Sequence, residues 1–183
     1  REPTGGYWGR KIRESAQRGR MPLEEELEAF IEDRAEHVRL LIQPALDAGE
    51  IVILDRYFYS TIAYQGGRGG NVSVLQARME ALFPIPDAVY LLDLDPTAAL
   101  ERIAGLRKDT PDEFERPGAL ARTREIFRQL SGPILKIDAA QPPEAIHEQL
   151  LSAFVHGPLR AARCAVEGGC ADPVQCSYAR QGQ

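Results

Sequence analysis

The stretch Ile51-Val52-Ile53-Leu54, followed at once by Asp55-Arg56-Tyr57, constrains this chain more than any other. Four apolar residues in a row, three of them β-branched, read as a short buried strand. At its C-terminal end a carboxylate, a guanidinium and a phenol appear in consecutive positions. In α/β folds ligands gather at the carboxyl ends of strands, and an Arg there can hold a phosphate through two N–H groups at once. The block suggests a nucleotide or phosphate site. An Asp–Arg pair anchoring the strand-to-helix turn is the competing structural reading.

The rest of the pattern predicts alternating helices and strands. Helices are expected over 8–18, 24–47 (with a bend at Pro44 and a stop at Gly49), 57–64, 71–83, 96–104, 117–130 and 142–154. The long helix is read from Leu23, Leu27, Phe30, Ile31, Val38, Leu41, Ile42 and Leu46, spaced by three, four and seven. Strands are expected over 51–54, 88–93 and 134–137. Strands alternating with helices imply an α/β fold, a parallel sheet with flanking helices. At 183 residues the chain can bury one real core.

Composition narrows the function classes. Hydrophobic residues make up 44% and charged residues 27%, ordinary for a globular protein. No apolar run approaches a membrane span, and a net charge of −5 argues against broad nucleic-acid binding. The expected partners are therefore small molecules, with no nucleic acid and no membrane. The three Cys fall at 164, 170 and 176. A cysteine-free body fits a reducing cytoplasm, and the C-x5-C-x5-C spacing departs from the C-x2-C of common zinc sites. Residues 157–183 read as a loose tail. His37, His147 and His156 are dispersed and read as surface residues.

Other constellations have chemical and bland readings. Phe30 and Arg34 lie four apart on the long helix and share a face. One could stack on a base while the other donates to a carbonyl, but on spacing alone a core Phe beside a surface Arg is the simpler reading. Tyr64 and Gln65 could read a sugar hydroxyl and a base edge. They could equally be a helix end leading into the loop Gly66-Gly67-Arg68-Gly69-Gly70, which is read as flexible. Arg102, Arg107 and Lys108 could form a basic flap over phosphates or a solvated turn.

In order along the chain, Arg1-Glu2-Pro3 with Gly5-Gly6, Phe30-x-x-Asp33-Arg34, Asp55-Arg56-Tyr57, Ser60, Ala63-Tyr64-Gln65-Gly66, Pro86-Asp87, Leu92-Asp93 and Asp112-x-Phe114-Glu115 resemble the thymidylate kinases. These belong to the nucleoside-monophosphate kinase group of P-loop NTPases, and the resemblance runs from Arg1 to about Phe154. It implies a domain over 1–156 and phosphoryl transfer from ATP to dTMP, with Mg2+, in the cytoplasm and in a homodimer. It also implies residue roles. Arg1 would hold the dTMP phosphate, Phe30 would stack on thymine and Arg34 would donate to a base carbonyl. Arg56 would contact the transferring phosphate, and Asp55 would lie near Mg2+ and the acceptor phosphate. Tyr57, Thr61, Tyr64 and Gln65 would line the nucleoside pocket, with Tyr64 crowding the sugar 2′ position. Arg107 would be a lid arginine on the ATP phosphates, and Ala139-Ala140 would lie near the adenine.

One departure stands out. The family's first strand, phosphate loop, next helix and second strand precede the Arg-Glu-Pro block, and no Gly-x-x-x-x-Gly-Lys-Ser/Thr occurs in these 183 residues. An N-terminally incomplete sequence is the expectation. Without the first strand, 51–54 and 88–93 would not be sheet neighbours and their backbone groups would lose partners. The chain alone is then expected to be inactive. A non-catalytic nucleotide-binding remnant and a kinase for another deoxynucleoside monophosphate are the alternatives.

Overall fold

The computed structural model describes residues 1–106 and 117–161. Its elements are α1 (Tyr7–Arg18), α2 (Leu23–His37), a π-helical turn (Val38–Ile42), α3 (Gln43–Asp47), α4 (Phe58–Gly66), α5 (Val72–Leu82), β1 (Val89–Asp93), α6 (Pro96–Leu106), α7 (Pro117–Gln129), β2 (Ile134–Asp138) and α8 (Pro143–His156). They fall into two units, Arg1–Ile85 with Ala99–Leu130, and Pro86–Ala98 with the chain from Ser131 onward.

In the first unit the sequence pattern becomes packing directly. α1 turns Gly9, Ile12 and Ala16 inward, and Ile12 joins Met21 and Ala29 in a cluster flanked by Trp8 and Phe30. Gly9 is required by contact: a Cβ there would sit 2.0 Å from the Thr4 carbonyl oxygen. α1 ends at Gly19, whose φ of +106° permits the left-handed cap that returns its N–H to Ser15. The expected long helix runs unbroken through α2, the π turn and α3. The wide turn comes just before Pro44, with Gln43 N–H reaching back to the Val38 carbonyl. Pro44 has no N–H and its ring crowds the preceding turn, so the helix widens ahead of it and continues.

α4 is the centre of this unit. Phe58, Ile62 and Ala63 are fully buried, and Tyr59 nearly so. The helix packs on α2, α5 and α7. α5 starts at Asn71, whose side chain accepts from Val74 N–H at 3.1 Å.

In the second unit β1 and β2 pair in parallel, in register from Val89 with Ile134 to Asp93 with Asp138, and α8 packs on β2. These are the two strands expected over 88–93 and 134–137. The third expected strand is corrected: residues 51–54 form no ladder, and Ile51 and Ile53 are 62% and 84% exposed. A strand is defined by its neighbour, and no backbone among the described residues pairs with this segment. The chain after Gly157 was expected to be loose. It forms a further helical turn to Ala161, with Ala161 N–H on the Gly157 carbonyl at 3.0 Å, and the remainder of the tail lies outside the described residues.

Candidate functional site: one turn and one helix face

The turn at 55–57 is built from both sides. Glu2 N–H donates to the Asp55 carbonyl at 3.1 Å, and the exposed Arg1 side chain reaches the Asp55 carboxylate, Nε to Oδ2 3.3 Å. Arg56 then takes φ of +69°, a left-handed conformation rarely used by a residue with a side chain. That geometry turns the exposed guanidinium onto α4, where Nη1 donates to the Tyr64 hydroxyl at 3.1 Å. Its Cζ lies 5.5 Å from the Tyr64 ring centre, a cation–π distance. Tyr57 returns to extended backbone and precedes the first turn of α4.

One face of α2 presents Glu26, Phe30 and Arg34 at intervals of four. Arg34 is not the surface residue that spacing favours. It is 1% exposed and its guanidinium is enclosed. Nε and Nη2 reach Glu2 Oε2 at 2.8 and 2.7 Å, Nη2 also donates to Thr61 Oγ1 at 3.0 Å, and Nη1 meets Met79 Sδ at 3.6 Å. The rings of Tyr57 and Phe83 flank it, 5.2 and 5.3 Å away. Glu2 accepts from or shares a proton with His37 Nδ1 at 3.1 Å on its other oxygen. His37 is therefore not a surface residue as expected, its side chain being 9% exposed, because the buried Glu2 carboxylate holds it. The Tyr57 hydroxyl is buried without a partner. Burial pushes its pKa up to about 12, with Arg34 opposing that rise and Glu2 adding to it.

A second ionic cluster lies about two turns earlier on the same face. Glu26 is fully buried. Its carboxylate accepts from Arg20 through Nε at 3.0 Å and through Nη2, from Gln65 Nε2 at 2.6 Å and from Arg68 Nη1 at 2.8 Å. Arg68 Nη2 also caps the Met21 carbonyl at 2.7 Å. The glycine-rich loop after α4 is thus tied down, not flexible as read from composition. Arg68 pins it to α2, and Arg122 Nε donates to the Gly67 carbonyl at 3.2 Å.

The structure therefore joins Arg1, Asp55, Arg56, Tyr57 and Tyr64 at one turn, and Arg34 and Thr61 in one buried network. Phe30 packs against the α1–α2 cluster, and Gln65 is fully buried against Glu26. In the second unit Ala139 N–H donates to the Asp93 carbonyl at 2.9 Å, and Ala140 N–H donates to Asp138 Oδ1 at 2.9 Å. Arg107 lies outside the described residues.

The sequence matches the thymidylate kinase family over residues 1–150. The chain belongs to that family. It is 50% identical over 156 residues to the thymidylate kinase of Xanthomonas euvesicatoria, covering 85% of this chain and 68% of that relative. It is 44% identical over 154 residues to the thymidylate kinase of Akkermansia muciniphila, covering 84% and 74%. Thymidylate kinases are dTMP kinases with a P-loop NTPase fold, and the parallel pairing of β1 with β2 agrees with that architecture. Among the described residues no helix is long and apolar enough to cross a membrane.

Against the thymidylate kinase pattern, residue reasoning missed the carboxylates that organise the cations. In the sequence Glu2 stands inside a motif with no role of its own, and Glu26 stands in none. The available signal was periodicity. Glu26, Phe30 and Arg34 fall on one line of α2, so an acid there faces inward and needs a cation. Asp33 was likewise visible only as a motif letter. It accepts from Thr4 N–H at 2.8 Å and from Thr4 Oγ1 at 2.6 Å, fixing the loop that carries Arg1 and Glu2.

Among the described residues no group of three or more His, Cys, Asp or Glu is arranged to hold a metal. Mg2+ commonly takes only one or two carboxylates and completes its shell with water and substrate phosphates. The Asp55 carboxylate is exposed and carries Arg1 on one oxygen, so it would reach such an ion only through water.

Proposed function

We propose that this chain carries the acceptor half of phosphoryl transfer from ATP to dTMP, yielding dTDP. The observation that supports this most is the double attachment of Glu2. Its backbone N–H holds the Asp55 carbonyl, and its carboxylate holds Arg34. The cations suited to a phosphate and the residues suited to a pyrimidine thereby become one connected unit.

In this reading Arg56 and Arg1 neutralise the dTMP phosphate as it approaches the donor. Catalysis here is mostly positioning and charge neutralisation. Asp55 would hold Mg2+ through its water shell, and the ion would supply charge neutralisation at the phosphates. Phe30 stacks on thymine. Arg34 turns Nη1 to a base carbonyl, exchanging only a weak sulfur acceptor for an oxygen. Tyr57, Thr61 and Tyr64 line the nucleoside, Tyr64 against the sugar 2′ position, and Gln65, buried against Glu26, backs them. Arg107 reaches the ATP phosphates, and adenine lies near Ala139 and Ala140.

These 183 residues contain neither the glycine-rich backbone cradle nor its Lys. The expected behaviour of the chain by itself is dTMP binding without turnover. Incubation with ATP, Mg2+ and dTMP, read by chromatography for dTDP, tests this. Product above background would contradict the assignment of the donor half. Its absence together with no dTMP binding would contradict the acceptor half.

A further inference from the structure

We infer that Tyr64 is a positioning residue for Arg56, so that the nucleotide's phosphate is recognised through the phenol that faces its sugar; this rests on the dTMP-site reading above. The argument begins with backbone strain. Arg56 at φ +69° is in a region that persists for a side-chain residue only where the surroundings over-determine it. The surroundings here do so. Asp55 is held by Glu2 N–H at 3.1 Å, and the Tyr57 carbonyl accepts from Ser60 N–H at 3.0 Å in the first turn of α4. The strain thus fixes where the guanidinium leaves the backbone, and Tyr64 fixes where it arrives. One side chain supplies both a hydroxyl acceptor at 3.1 Å and a π face at 5.5 Å.

Tyr64 is half-buried on α4, a helix whose backbone is anchored there by Ala63 and Gln65, both fully buried. Arg56 is exposed and long, and a free side chain of that kind would lose rotamer freedom on meeting a phosphate. Held in advance by Tyr64, it loses less. The phenol therefore contributes to phosphate affinity without touching the phosphate.

Tyr64→Phe separates this from a sugar-packing role, because it keeps the ring and removes only the acceptor. Calorimetric titration of the chain and its variants with dTMP and with thymidine gives the readout. The expected result is a loss of about tenfold in dTMP affinity, the low end for a hydrogen bond to a charged group, with a clearly smaller loss for thymidine. In an Arg56→Lys background the Tyr64→Phe change should add nothing. Equal losses for dTMP and thymidine, or no loss for either, would overturn the inference. A different result would sink the underlying site reading instead: Arg56→Lys alone leaving the preference for dTMP over thymidine intact.

Discussion

The segment Ile51–Leu54 and the inward face of α2 are opposites in composition and in burial. Ile51 and Ile53 are 62% and 84% exposed, whereas Glu26 and Arg34 are 0% and 1% exposed. Hydropathy alone predicts the reverse. The difference lies in partners. Arg34 has Glu2, Thr61 and two aromatic rings, and Glu26 has Arg20, Arg68 and Gln65. The apolar segment has no paired strand among the described residues. A charge with satisfied hydrogen bonds can be buried. An isoleucine enters a core only if another surface is there to cover it.

The contrast can be broken most severely at Arg34. Arg34→Ala leaves the Glu2 carboxylate, 3% exposed, without its cation, and should destabilise the chain by about 3–5 kcal/mol in urea denaturation followed by circular dichroism. A loss of a few tenths would mean that Glu2 rehydrates freely and that the network is not structural.

Two isoleucines sharpen the comparison. Ile62 is fully buried on α4, so Ile62→Ala should cost about 2–5 kcal/mol. Ile53→Ala should stay within about 0.5 kcal/mol, as for exposed positions elsewhere. Equal costs would show Ile53 to be covered in solution. Between these extremes, Gly9→Ala forces a Cβ against the Thr4 backbone and should cost about 1–3 kcal/mol, measured in the same way.

The last test is a pH dependence. Tyr57 has its pKa raised from 10.0 to about 12. Above pH 10 the unfolded state loses this proton while the folded state keeps it. The folded state's advantage is therefore fully present below pH 10 and is lost progressively as pH rises to about 12. Urea midpoints across pH 9–12 should fall less steeply in Tyr57→Phe than in the unsubstituted chain. Identical slopes would show that the Tyr57 hydroxyl is hydrated.

Most helices were legible because periodicity records which face is inward. α2 with α3 falls where spacings of three, four and seven put it, and α5, α7 and α8 fall within a residue or two of the spans expected for them. β1 and β2 were legible because each has the other as a neighbour. The segment 51–54 was misread because a strand is a property of two segments, and its own residues say nothing of whether a partner is present. The site divided in the same way. Asp55-Arg56-Tyr57 stood out by its abrupt change of polarity. Glu2, Glu26 and Arg68 did not, because their importance comes from meeting across 32, 39 and 42 residues of chain. The left-handed backbone at Arg56 had no signal in residue type at all.

The central claim is that the turn at 55–57 and the face of α2 form one dTMP site. Isothermal titration calorimetry of the 183-residue chain with dTMP, thymidine and dGMP tests it most directly. The account predicts one dTMP bound per chain, thymidine bound more weakly because it lacks the phosphate that Arg56 and Arg1 would meet, and no dGMP binding. No heat with dTMP, or dGMP bound as tightly as dTMP, would contradict it.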